Sequence, residues 1–234
     1  MSDYELYYWS VPFRGQFVRA VLAHASQTWT EGGDAAISEL MCGLVSDMPV
    51  PFMGPPMLVD KKAGFAIAQV PAIILYLGET LNLLPADPKL RALTLKVVCD
   101  ANDVIDEITR DGGREMWTRP RWVEFVPRLT KWMSFWEETG RRHGLKVGSG
   151  FLLGGGATGV ADVVTWTLWS TLTDRFPKIA AILEDAAPMT AALVERVAKT
   201  PSLAALAAKA REDYGDAYCG GQIGASLRNV LGGD

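Results

Sequence analysis

Histidine and cysteine are scarce in this chain: two histidines, His24 and His143, and three cysteines, Cys42, Cys99 and Cys219, among 234 residues. The cysteines are widely spaced, odd in number and outside any CxxC or Cys/His pattern. Neither a disulfide framework nor a structural zinc site therefore has the ligands it needs. An excess of basic charge is also missing. With 23 Lys+Arg against 27 Asp+Glu the formal net charge is −4, and the two signs are interleaved. That leaves no basic footprint for a nucleic acid or an anionic membrane. No window approaches a membrane-spanning run of apolar residues, and Met1-Ser2-Asp3-Tyr4-Glu5 has neither a basic nor an apolar signal region. The expectation is a soluble, cytoplasmic protein of a reducing compartment, with no metal, no nucleic-acid partner and no membrane partner.

What is abundant is core material. The chain is 49% hydrophobic, with eight Trp and eight Phe, which excludes intrinsic disorder. A chain of this length buries roughly 70–75% of its unfolded surface and needs no covalent staple.

The pattern along the chain changes once. Residues 4–9, Tyr-Glu-Leu-Tyr-Tyr-Trp, read as a strand, and from Gly15 the residues Phe17, Val18, Val21, Leu22 and Ala25 recur at helical spacing. A short strand over 27–30 and a brief helix over 35–44 follow. Four prolines, Pro49, Pro51, Pro55 and Pro56, make 47–56 a rigid extended loop. Residues 56–60 and 65–67 form a hairpin, and Pro71 opens a helix whose apolar face carries Ile73, Tyr76 and Leu77. Past Pro85 strand signals vanish. Helical segments are expected at 88–111, 120–142, 160–173, 177–186, 188–198 and 201–212, punctuated by Gly and Pro. The expected division is an α+β domain over residues 1–82, an all-α domain over 88–215, and an extended tail over 216–234.

Several segments in that order resemble a soluble glutathione transferase of bacterial type. Ile67-Ala68-Gln69-Val70-Pro71-Ala72-Ile73-Ile74-Leu75-Tyr76-Leu77 is similar to the family's strand-to-helix segment, and Pro55-Pro56-Met57-Leu58 to its cis-proline loop. Tyr8-Trp9 followed by Arg14 to Arg19 looks like the entrance of tyrosine-type members. Val160-Ala161-Asp162-Val163 resembles an Ala-Asp helix start of the second domain. The resemblance implies a thioredoxin-like βαβαββα domain followed by the helical domain, glutathione as cosubstrate, a small apolar electrophile as second substrate, a role in detoxification, and a homodimer.

It also implies a site. A thiol titrates near ~8.5, so presenting glutathione as a thiolate at neutral pH requires a hydrogen-bond donor or positive charge at the sulfur. Tyr8 and Arg14 fall on the catalytic positions, with Ser10 as the serine-type alternative. Pro55, Pro56 and Met57 would offer a backbone edge to the peptide body of glutathione. Gln69, Val70 and Asp103 would hold its γ-glutamyl end, and Trp9, Phe13 and Trp117 would line the electrophile pocket. Two positions depart from the family pattern: Pro55 has no N–H to donate, and Val70 replaces a hydroxyl-bearing residue. Those departures favour the alternative of a binding or scaffold protein on the same fold. A glutathione-dependent peroxidase or reductase is the second alternative. A cysteine-type reductase is excluded, because the first strand ends without a cysteine.

Overall fold

Strand β1 (Tyr4–Tyr7) buries Tyr4 and Leu6 and leaves Glu5 and Tyr7 half-buried, the alternation of a strand with one face on a core. The computed structural model describes residues 2–232. After β1 come α1 (Phe13–His24), β2 (Trp29–Glu31), α2 (Gly33–Cys42), the hairpin β3 (Met57–Asp60) and β4 (Phe65–Ala68), and α3 (Val70–Thr80). The sheet order is β2-β1-β3-β4. The β1–β2 pair is parallel, joined across by α1, and the other two pairs are antiparallel. This is the expected βαβαββα arrangement.

The second domain is helical: α4 (Pro88–Gly113), α5 (Arg119–Arg142), α6 (Val160–Thr173), α7 (Pro177–Ala186), α8 (Pro188–Ala198), α9 (Pro201–Tyr214) and α10 (Gly221–Gly232). Prolines stand in the first turn of α4, α5, α7, α8 and α9, where a missing N–H removes no helical hydrogen bond. At Arg110, Asp111 and Gly112 the backbone turns left-handed, ending the regular part of α4.

Helix α6 is the centre of the molecule, buried from Val160 to Leu172 and packed against α1, α4 and α8. Its threonine hydroxyls are satisfied within the helix. The Thr165 and Thr167 hydroxyls donate to the carbonyls of Ala161 and Val163 at 2.7 and 2.8 Å. Asp162 closes its N-terminus: one carboxylate oxygen accepts from the Gly159 N–H at 2.9 Å and the other from the Leu152 N–H at 2.7 Å. Glycine at the cap position supplies no side chain, so the aspartate alone ties the preceding loop to the helix.

Helix α1 joins the two domains, packing on α3 in one and on α6 and α9 in the other. One continuous hydrophobic core results. The expected extended tail over 216–234 is corrected: Gly221–Gly232 is a helix, with Leu227 and Leu231 buried. Residues 233–234 of that expectation lie outside the described residues.

Candidate functional site

Strand register gathers the sequence-predicted residues. Tyr7 pairs with Met57, and Met57 pairs with Ala68. The chain therefore leaves β1 at Tyr8, enters β3 from Pro55-Pro56 and leaves β4 at Gln69 all at one end of the sheet. Helices α1 and α3 begin just beyond that end, and the positive end of each helix dipole favours an anion there. The Pro55–Pro56 peptide is cis. Gln69 has φ 74° and ψ 122°, a left-handed backbone that a non-glycine residue holds only when its surroundings impose it. Val70, the first residue of α3, turns its side chain into the core, so its backbone N–H is what it offers at the helix start.

Tyr8 is 4% exposed. Its hydroxyl oxygen accepts the Arg14 N–H at 3.1 Å, leaving the phenolic proton available for an acceptor. Burial pushes its pKa up to about 12, against the opposing pull of the Arg14 and Arg19 charges. The group therefore stays protonated at neutral pH and keeps a proton it can donate. Glycine is required beside it: a Cβ on Gly15 would lie 2.3 Å from Tyr8 Cδ1.

Two arginines hold this corner. Arg14 Nη2 donates to Asp106 Oδ1 at 3.2 Å and to the Thr109 hydroxyl at 3.1 Å, tying the start of α1 to α4. Arg19 is buried. It forms a two-pronged pair with Glu31 at 2.9 Å on both bonds and donates through Nη1 to the Val11 carbonyl at 3.0 Å. Its guanidinium lies 5.8 Å from the centre of the Tyr8 ring. The loop after β1 is thus fixed from beneath.

The remaining candidates are distributed differently. Ser10 is exposed and engaged elsewhere: its N–H and hydroxyl both donate to Asp34 Oδ1, at 2.9 and 3.1 Å. Phe13 is buried, with its ring edge-on to Tyr218 at 5.2 Å. Trp9 is partly buried against the core. Trp117 is buried among Trp122 and Phe125, and its ring N–H donates to the Ile108 carbonyl at 3.1 Å. Asp103 is exposed on α4, three residues before Asp106 and so on the same stripe as the partner of Arg14. A cavity of about 400 Å³ lies by Tyr7, Leu40 and Leu44, and Tyr8, Arg14 and Gln69 are not among its lining residues. Among the described residues no group of three or more His, Cys, Asp or Glu could hold a metal ion, and no helix is long and apolar enough to cross a membrane.

Residues 93–230 match the family described as the glutathione S-transferase C-terminal domain, well over half the chain. The chain belongs to this glutathione S-transferase family. Solved structures of transferases share its fold. A Pi-class glutathione S-transferase from Onchocerca volvulus is 17% identical, with TM-score 0.75 over 93% of this chain and 98% of that one. The monomeric Na-GST-3 of the hookworm Necator americanus is 20% identical, with TM-score 0.70 over 88% and 97%. A Nu-class transferase from Haemonchus contortus is 19% identical, with TM-score 0.67 over 89% and 97%. No curated protein matches the chain.

Sequence reasoning missed part of the Tyr8 corner. Tyr218 and Cys219, placed in the expected tail, are buried there, and the Phe13 N–H donates to the Tyr218 carbonyl at 3.2 Å. Burial pushes the Cys219 thiol up to about 12, while the Arg14 charge pulls it down. The Ser226 hydroxyl accepts from the Trp117 N–H at 3.0 Å and anchors α10. A signal was present: Ile223, Leu227, Val230 and Leu231 recur at helical spacing amid the glycines. Asp106 and Thr109 were missed for another reason. Nothing local separates them from the other polar residues of α4.

Proposed function

We propose that the protein is a glutathione transferase of the tyrosine type, in which Tyr8 stabilises the glutathione thiolate and Arg14 adds positive charge. The observation that carries this reading is the Tyr8 hydroxyl, fixed by the Arg14 N–H at the start of α1 and kept protonated by burial. A buried donor fixed where negative charge develops is worth more than one in water. Ser10 is the weaker candidate, since Asp34 already takes its hydroxyl.

The residues fit a γ-glutamyl tripeptide thiol. Met57 is itself paired with Tyr7 and Ala68, so the backbone offered to a peptide is the chain at the cis Pro55–Pro56 bond just before β3. Gln69 and the N-terminus of α3 suit the γ-glutamyl end, and Asp103 suits its ammonium. In the reaction the thiolate sulfur forms a bond to an electrophilic carbon, and the leaving group departs with its electron pair. Tyr8 holds its proton throughout and gives only a hydrogen bond. Phe13 and Trp9 supply apolar surface for the electrophile. The transferase is proposed to act in the cytoplasm as a homodimer.

A binding protein on the same fold is the second reading, favoured by Pro55 and Val70. Pro55 has no N–H, and losing one neutral hydrogen bond at each position costs on the order of 0.5–1.5 kcal/mol of affinity. Calorimetry with glutathione and conjugation of a generic aryl halide separate the readings. Saturable binding with turnover that depends on Tyr8 supports the enzyme. Saturable binding without turnover supports the binding protein, and no binding at millimolar glutathione rejects both.

A further inference from the structure

A second cavity, whose lining does not include Tyr8, lies where α1 and β2 of the first domain face α9 of the second. It measures about 360 Å³, within the range of pockets that hold a small organic molecule. One wall carries Trp29 from β2, and another carries Tyr214 and Leu206 from α9. Aromatic surface thus comes from both domains, which suits a flat ring held between them.

The charges around this cavity are already matched within the protein. Arg19 is paired with Glu31, and Lys209 Nζ with Asp213 at 3.0 Å. A charged ligand would have to shed its water without gaining a counter-ion, which is costly. The cavity therefore selects a neutral molecule.

Gln16 lines the same cavity. It is 4% exposed, and its side-chain oxygen is buried with no hydrogen-bond partner. Buried polar atoms almost always have a partner, and one without calls for an explanation. Gln16 also borders a smaller cavity beside Trp166, whose ring N–H is likewise without a partner, and because the terminal torsion of a glutamine is soft the amide can turn its oxygen toward a donor entering either one. A ligand N–H or O–H would satisfy it.

We infer that the junction of α1, β2 and α9 is a binding site for a neutral aromatic molecule bearing one hydrogen-bond donor, which Gln16 receives. Tyr8 does not line the site, although Arg19 reaches from it to the Tyr8 ring, and its occupancy does not depend on glutathione turnover. Its ligand bridges the two domains, so occupancy raises the melting temperature by linkage.

The test uses the full chain, with indole as probe and benzofuran as its near-isostere lacking the N–H. Binding is read by saturation-transfer NMR and calorimetry. Indole is expected to bind saturably at millimolar concentration or below, and benzofuran about fivefold more weakly, the scale of one neutral hydrogen bond. Gln16→Leu is expected to make the two ligands equivalent. Thr28→Trp fills the cavity from an exposed position and is expected to abolish indole binding while leaving the melting curve and aryl-halide conjugation unchanged. Absence of saturable indole binding, equal affinities on the unmodified protein, or undiminished binding to Thr28→Trp would each overturn the inference. Because Thr28 lies on the surface, that variant keeps the test decisive even if Gln16→Leu does not fold.

Discussion

The hydroxyl oxygen of Tyr8 lies 3.1 Å from the backbone nitrogen of Arg14, so the residue that follows β1 is tied to the first turn of α1. The phenol thereby spends an acceptor site on the backbone and keeps its proton for the substrate. Removing the hydroxyl should strike chemistry more than binding. Tyr8→Phe is expected to lower kcat/KM for an aryl halide about 10- to 150-fold, the ~1.5–3 kcal/mol of a hydrogen bond to a charged group. Glutathione affinity in calorimetry should change little.

Gly15 sets the position of that phenol. A methyl group there would collide with the ring, since the nearest ring atom would be 2.3 Å away. Tyr8 is too buried to move aside freely. Gly15→Ala is expected to destabilise the fold by about 1–3 kcal/mol, the usual cost of overpacking. Turnover of the folded fraction should also fall. Thermal melts and active-site-normalised rates measure the two effects separately.

Asp162 fastens the loop before α6. Its carboxylate accepts from two backbone N–H groups, Leu152 and Gly159, and it is 3% exposed. Asp162→Ala leaves both donors buried without a partner. The expected cost is about 2–4 kcal/mol, or a melting temperature lower by roughly 5–15 °C for a chain of this size. Asp162→Asn keeps one acceptor and should lose about half as much.

Alkaline pH should destabilise the fold in part through the Tyr8 corner. Burial raises the folded-state pKa of Cys219 from 9.0 to about 12 and that of Tyr8 from 10.0 to about 12. Both groups hold their protons longer in the folded state. Their contribution to stability is fully present below the unfolded value and drains away as pH rises toward the folded one. The window opens at pH 9.0 for Cys219 and at 10.0 for Tyr8. Urea midpoints measured across alkaline pH should fall above about pH 9. Cys219→Ala should flatten the first part of that fall.

Much of this architecture was readable from local signals. First-turn prolines marked the start of six helices, and strand alternation put Tyr8 on the buried face with Leu6. Helix α10 was hidden because Gly220, Gly221 and Gly224 look like loop, and only tertiary burial of Leu227 and Leu231 overrides that low propensity. The partner of Arg14 could not be read locally either. Asp100, Asp103, Asp106 and Glu107 are equivalent in pattern, and the packing of α1 against α4 selects Asp106 across a separation of 92 residues. The occupation of Ser10 by Asp34 is non-local in the same way.

The most direct measurement of the account is the thiol pKa of bound glutathione, followed by the ultraviolet absorbance of the thiolate as pH is raised. With the unmodified protein the transition should lie well below the free thiol value of ~8.5, and with Tyr8→Phe it should return toward that value. A bound thiol that titrates alike in both proteins would contradict the role assigned to Tyr8.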